Sequence, residues 1–167
     1  MKNTLRISTI LLFGITLLLI DGCKKEGPQG PAGNANVVSH TFSASSWLWS
    51  SPNYYVDFTV PELTSSNINE AAVMVYFSTV AGNWIAVPYT QYNSPYDYFM
   101  NFLTAVNTVE VRWFYDSSLS SGNDPNVYYG TTVQFKIVII PPGIRKANPD
   151  LDLTNYQAVK LQFGLLD

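Results

Sequence analysis

One cysteine and one histidine among 167 residues remove most of the side-chain chemistry that runs through thiols, imidazoles or zinc. A lone cysteine closes no disulfide within its chain, and zinc sites draw on Cys and His clusters that this sequence lacks. The histidine, His40, falls in phase with Val38 and Phe42 on a strand pattern. Any Ser-His-Asp or Cys-His arrangement would have to use it as base, and packing is the stronger reading. Charge is also scarce, at 13%, and acidic residues outnumber basic ones 12 to 9. Four of the basic residues, Lys2, Arg6, Lys24 and Lys25, stand ahead of Glu26, so the remainder of the chain is distinctly acidic. Such a surface excludes nucleic acid as a partner, because phosphates call for clustered Lys and Arg. The carboxylates Asp57, Glu62, Glu70, Asp97 and Glu110 are scattered and show no spacing that pairs them for acid/base work. Oxygen ligands for calcium occur at Asp150-Leu151-Asp152 and Asp124-Pro125-Asn126, but neither has EF-hand spacing, and turns and caps are their ordinary use. The sequence therefore predicts no catalytic residue, no metal, no cofactor and no enzyme.

A hydrophobic run long enough to span a bilayer is missing too. The apolar stretch from Ile10 to Ile20 is too short, and its flanks are those of a secretory signal: Lys2 and Arg6 before it, a small residue and a cut after it. Ile20-Asp21-Gly22-Cys23 resembles the bacterial lipobox, with Ile20 in the usual Leu position, Gly22 before the cleaved bond and Cys23 as the acylated residue; Asp21 stands where a small or neutral residue is usual. The one thiol in the chain thus sits where an acyl acceptor is needed. Each buried methylene of an attached acyl chain contributes about 0.8 kcal/mol, and two or more chains hold a protein stably on a bilayer. The expected organisation is a signal peptide over 1–22, a lipid-anchored tether over 23–36 and a folded domain over 37–167.

Within the tether, glycine recurs every third residue at Gly27, Gly30 and Gly33, with Pro28 and Pro31 between. The repeat is collagen-like in pattern only and ends at Asn36, too soon to hold a triple helix. It reads as a solvated spacer, partly polyproline II, reaching about 3 Å per residue. Lys24-Lys25-Glu26 resembles the short charged signals that route some lipoproteins to the outer face of the outer membrane.

The domain is rich in aromatics, with 11 Tyr, 9 Phe and 4 Trp in the chain. Period-two alternation sets Tyr54, Val56, Phe58 and Val60 against Tyr55, Asp57 and Thr59. It likewise sets Val109, Val111, Trp113 and Tyr115 against Glu110, Arg112 and Phe114, and Val133, Phe135, Ile137 and Ile139 against Thr132, Gln134 and Lys136. Each pattern predicts an antiparallel strand with one face in a core and one in water. Ala71 to Phe77 is almost wholly apolar and predicts a central strand covered on both faces; further strands are expected at 37–43, 84–89 and 96–103. Clusters of Ser, Asn, Gly and Pro separate them, and the whole predicts an all-β antiparallel sandwich. After Pro141-Pro142-Gly143 the period changes: Tyr156, Val159 and Phe163 make one stripe of a short C-terminal helix, capped by Thr154 or Asn155 and ended by Gly164.

Taken together, Cys23, the Gly27–Val37 tract, the strand into Ile139-Ile140-Pro141-Pro142-Gly143 and the Tyr156–Gly164 segment resemble a group of uncharacterised Gram-negative lipoproteins. These carry a short Gly-Pro-x-Gly tract and a C-terminal β domain. The resemblance implies an envelope location and the fold, and no activity; the Lys24-Lys25-Glu26 run adds the outer membrane, with the domain facing outward. Two readings of function stand on the residues. One is a non-enzymatic interaction or structural module held on the membrane by its N-terminal lipid, with a protein or glycan partner. The other is a carbohydrate-binding module in which Trp47, Trp49, Tyr92 and Tyr96 form an aromatic strip. Exposure of those four side chains decides between them.

Overall fold

The computed structural model describes residues 36–92, 97–115, 124–128 and 133–166. The chain divides into two units, Met1–Pro31 and Ala32–Asp167, and every described residue lies in the second.

The alternating segments become strands of two antiparallel sheets. Val38–Ser43 (β1), Ala72–Ser78 (β4), Ile85–Val87 (β5) and Gln134–Ile140 (β9) form a four-stranded sheet in the order β1-β9-β4-β5. Leu48–Ser50 (β2), Asn53–Thr59 (β3), Tyr89–Gln91 (β6), Tyr98–Ala105 (β7) and Thr108–Tyr115 (β8) form a five-stranded one in the order β2-β3-β8-β7-β6. The inward phases named by the alternation meet between them. Tyr54, Phe58, Val109, Val111 and Trp113 face Val75, Phe77, Phe135, Ile137 and Ile139 across one continuous core. The protein is an all-β sandwich with a small helix at the C-terminus.

The predicted 84–89 strand is in fact two strands in different sheets. Pro88 has no N–H to offer a ladder, so pairing with β4 stops at Val87 and the chain crosses to pair with β7 from Tyr89; the Val87–Pro88 bond is cis. A second difference lies in β9, where the alternation puts Lys136 on the wet face. Lys136 is fully buried, as are Val138 and Ile140 beside it. The strand sits between β1 and β4, and its outward face is roofed by helix Tyr156–Phe163 (α3). Two shorter helices, Pro125–Tyr128 (α1) and Pro142–Ala147 (α2), complete the described elements.

Helix α3 follows the sequence pattern. Tyr156, Val159 and Phe163 are its buried residues and pack with Tyr76, Val138 and Ile140 in a second core on the outside of the four-stranded sheet. Asn155 caps it by accepting the Ala158 N–H at 3.2 Å, and Gly164 closes it in the left-handed conformation at φ 62°. The Tyr76 hydroxyl donates to the Leu153 carbonyl at 2.5 Å, and burial beside Tyr156 and Asp152 holds it protonated far above the ordinary phenol range. Replacing Asn155 by Ala is expected to cost about 1 kcal/mol in urea unfolding, the usual value of an N-cap; an unchanged midpoint would contradict the capping role.

Candidate functional site

The four aromatics singled out from sequence do not form a strip. Trp47 is a core residue, only 4% exposed, set edge-on against Trp113 at 5.7 Å and Phe135 at 5.9 Å. It precedes β2, and Asn126 on α1 fixes its backbone by accepting its N–H at 3.0 Å. Trp49 is 45% exposed with its ring 4.7 Å from Tyr54, and Tyr92 is 78% exposed. These two stand at opposite edges of the five-stranded sheet, Trp49 on β2 and Tyr92 just after β6. Tyr96, Gly22 and Cys23 lie outside the described residues.

A different set of aromatics faces solvent together. The four-stranded sheet has its outer face under α3, whereas Phe99, Phe114 and Leu103, in the outward phase of the five-stranded sheet, belong to neither hydrophobic cluster. Side chains there fall into rows set by the register. The first row runs Thr90, Phe99, Phe114, Asn53 across four strands; the second runs Asn101, Arg112, Tyr55, Leu48; the third runs Leu103, Glu110, Asp57. Rows are about 7 Å apart, twice the rise per residue of a strand. Phe99 and Phe114 stack nearly parallel, with ring centroids 4.7 Å apart at 5°. Phe99, Leu103 and Leu48 are all more than two-fifths exposed.

Polar groups lie beside the rings. Arg112 Nε donates to Glu110 Oε1 along the same strand, and both side chains are about one-third exposed or less. Asn101, opposite Arg112 in register, holds its Oδ1 out of solvent with no hydrogen-bond partner among the described residues. Asp57 faces Glu110 across the β3–β8 pair, and partial burial together with that carboxylate raises its carboxyl above the ordinary 3.8. The folded state therefore binds this proton more tightly than the unfolded chain does. Below pH 3.8 both states are protonated and the group contributes nothing; as pH rises through the raised folded value, the ionised group costs stability. Asp57→Asn is accordingly expected to raise Tm at pH 7 by about 1–2 °C, a gain that disappears as pH falls toward the ordinary carboxylate range. A variant less stable than wild type at pH 7 would contradict the repulsion.

Elsewhere the titratable groups serve the fold. His40 Nε2 lies 3.0 Å from Glu62 Oε1, joining β1 to the segment after β3, while its ring sits 5.9 Å from Phe42. Asp152 Oδ1 takes the Thr154 N–H and hydroxyl, and Asp124 Oδ1 takes the Asn126 N–H and amide, so both suggested calcium loops use these oxygens in turns. Among the described residues no group of three or more His, Cys, Asp or Glu could hold a metal ion.

The outer face was visible in the sequence only as an anomaly. Phe114 stands in the wet phase of its strand, and Phe99 and Leu103 do so in theirs, where alternation calls for polar residues. Compared with protein-family models, curated proteins and solved structures, the chain matches none.

Proposed function

We propose that the chain is a lipid-anchored cell-envelope protein, held at the outer membrane through Cys23, whose sandwich serves as a non-enzymatic interaction module. The observation that carries this reading is the order Lys2/Arg6, Ile10–Ile20, Gly22-Cys23, with the sole cysteine of the chain at the acyl-acceptor position. The Gly/Pro tract over 27–33 supports it as a spacer between anchor and domain. The exposed apolar side chains Phe99, Leu103 and Leu48 on the outer face of the five-stranded sheet support an interaction role, since a cluster of this kind marks a binding surface. The strip of Trp47, Trp49, Tyr92 and Tyr96 gives the carbohydrate reading no support, with Trp47 in the core and Trp49 and Tyr92 on opposite edges.

Detergent-phase partitioning of the protein expressed in a Gram-negative host tests the anchor. Wild type is expected in the detergent phase and Cys23→Ala in the aqueous phase. Wild type in the aqueous phase, or a variant that still enters detergent, would sink the reading.

A further inference from the structure

We propose that β1 is a dimer edge: two copies of this chain pair antiparallel through Val38–Ser43, joining their four-stranded sheets into one. The proposal goes beyond the interaction reading and does not depend on the anchor.

An edge strand carries backbone N–H and C=O groups that its own sheet leaves unpaired, and natural sheets blunt such edges with very short strands, proline, lysine or bulges. The edge strands of the two sheets are β1, β5, β2 and β6. Three of them are blunted. β5, β2 and β6 have three residues each, and Pro88, which has no N–H, separates β5 from β6. β1 has none of these devices. It runs Val-Ser-His-Thr-Phe-Ser and matches β9 residue for residue from Val38 to Ser43, so alternate residues turn their N–H and C=O away from β9. Among the described residues no other strand pairs with β1, and no turn or loop adds a backbone hydrogen bond to it. Thr41 and Ser43 are exposed.

The side chains select the occupant. Ser39, Thr41 and Ser43 lie on the outer face opposite Val138, Lys136 and Gln134, while Val38, His40 and Phe42 lie on the core face opposite Ile139, Ile137 and Phe135. A two-fold axis perpendicular to the sheet keeps each face on its own side, so a symmetric ladder centres on one residue. Centred on Thr41, the threonine meets its own copy, Ser39 meets Ser43 and His40 meets Phe42. These are hydroxyl against hydroxyl and ring against ring, pairs that stabilise a ladder. Centred on His40, two imidazoles that each already lie 3.0 Å from a Glu62 Oε1 would oppose one another. The strand holds no Asp, Glu, Lys or Arg, so two copies of an acidic chain meet here without like charges in the ladder. A foreign extended peptide takes its specificity from side-chain pockets beside an edge, whereas the small hydroxyls here match a strand of the same pattern. Six residues make a ladder about 20 Å long and one strand wide, smaller than a standard interface, so the dimer is weak and concentration-dependent.

Moving the single thiol of the chain tests this. In Cys23→Ala/Thr41→Cys the two position-41 residues of a centred pair have Cα atoms about 4.5–5.5 Å apart, within the reach of a disulfide. Cys23→Ala/Tyr92→Cys puts the thiol at a more exposed place, beside an edge of the other sheet. With both full-length proteins at equal concentration in non-ionic detergent under mild oxidation, disulfide-linked dimer is expected to form at least about tenfold faster at position 41 than at position 92. Adding Ser39→Lys and Ser43→Lys to the first protein sets lysine against lysine across the pair and is expected to remove that advantage, with circular dichroism showing the sandwich retained. The comparison of positions stands by itself where the lysines disturb folding. Equal rates at the two positions, no dimer at position 41, or an advantage that survives the two lysines in a folded protein would overturn the proposal. Both proteins share the same N-terminal residues, so association through that segment raises both rates and does not mimic the expected result.

Discussion

Lys136→Ala is expected to destabilise the domain by about 3 kcal/mol, the sum of a cavity and two lost hydrogen bonds. Lys136 lies on β9 opposite Tyr76, fully buried beneath α3. Its Nζ donates to the Tyr156 hydroxyl at 2.9 Å and to the Leu166 carbonyl at 3.2 Å, and stands 4.7 Å from the Trp84 ring centroid and 4.9 Å from that of Tyr156. One side chain thereby ties the sheet, the α3 helix and the C-terminal residues together. The loss should lower Tm by roughly 10 °C for a domain of this size. Lys136→Met keeps the methylene stem and should recover part of the loss, and hydrogen exchange should speed up in α3 more than in β3 or β8. A variant as stable as wild type would show that burial of this cation is incidental to the second core.

Trp113→Ala is expected to cost about 3–5 kcal/mol, as large-to-small changes at a buried aromatic do. The indole is 1% exposed, stacked on Tyr98 at 4.4 Å and met edge-on by Trp47 at 5.7 Å. It stands on β8, the central strand of the five-stranded sheet, so collapse around the void is restricted by strands on both sides. Trp113→Phe should lose less because a ring remains to stack. Trp49→Ala, at the exposed edge, should cost under about 1 kcal/mol. Urea midpoints measured by tryptophan-independent circular dichroism give all three values; equal costs at Trp113 and Trp49 would contradict the placement of the core.

The core phases of β3 and β8 were legible because each strand has one wet face, which keeps period two visible in the sequence. β4 was legible for the opposite reason, its unbroken apolar run needing cover on both sides. β9 was misread because a lysine in the polar phase signals water, and only the roof formed by α3 makes that position interior. β2 escaped notice because three residues are too few to show a period. The division at Pro88 was written in the sequence as a ladder breaker, but which sheet receives each half depends on long-range pairing. The candidate face was hidden because Phe99 and Phe114 are distant in sequence, and only the β7–β8 register stacks their rings face to face. Trp47 misled for a related reason: it precedes β2, so strand phase does not decide its direction, and contact with Trp113 and Phe135 does.

The intact mass of the mature protein purified from a Gram-negative host tests most directly whether Cys23 carries the lipid anchor. The expected product is a chain that begins at Cys23 and carries a diacylglyceryl group with an added amide-linked acyl chain, with an unlipidated mass for Cys23→Ala. A mature chain cut elsewhere, or one that begins at Cys23 with no lipid increment, would contradict it.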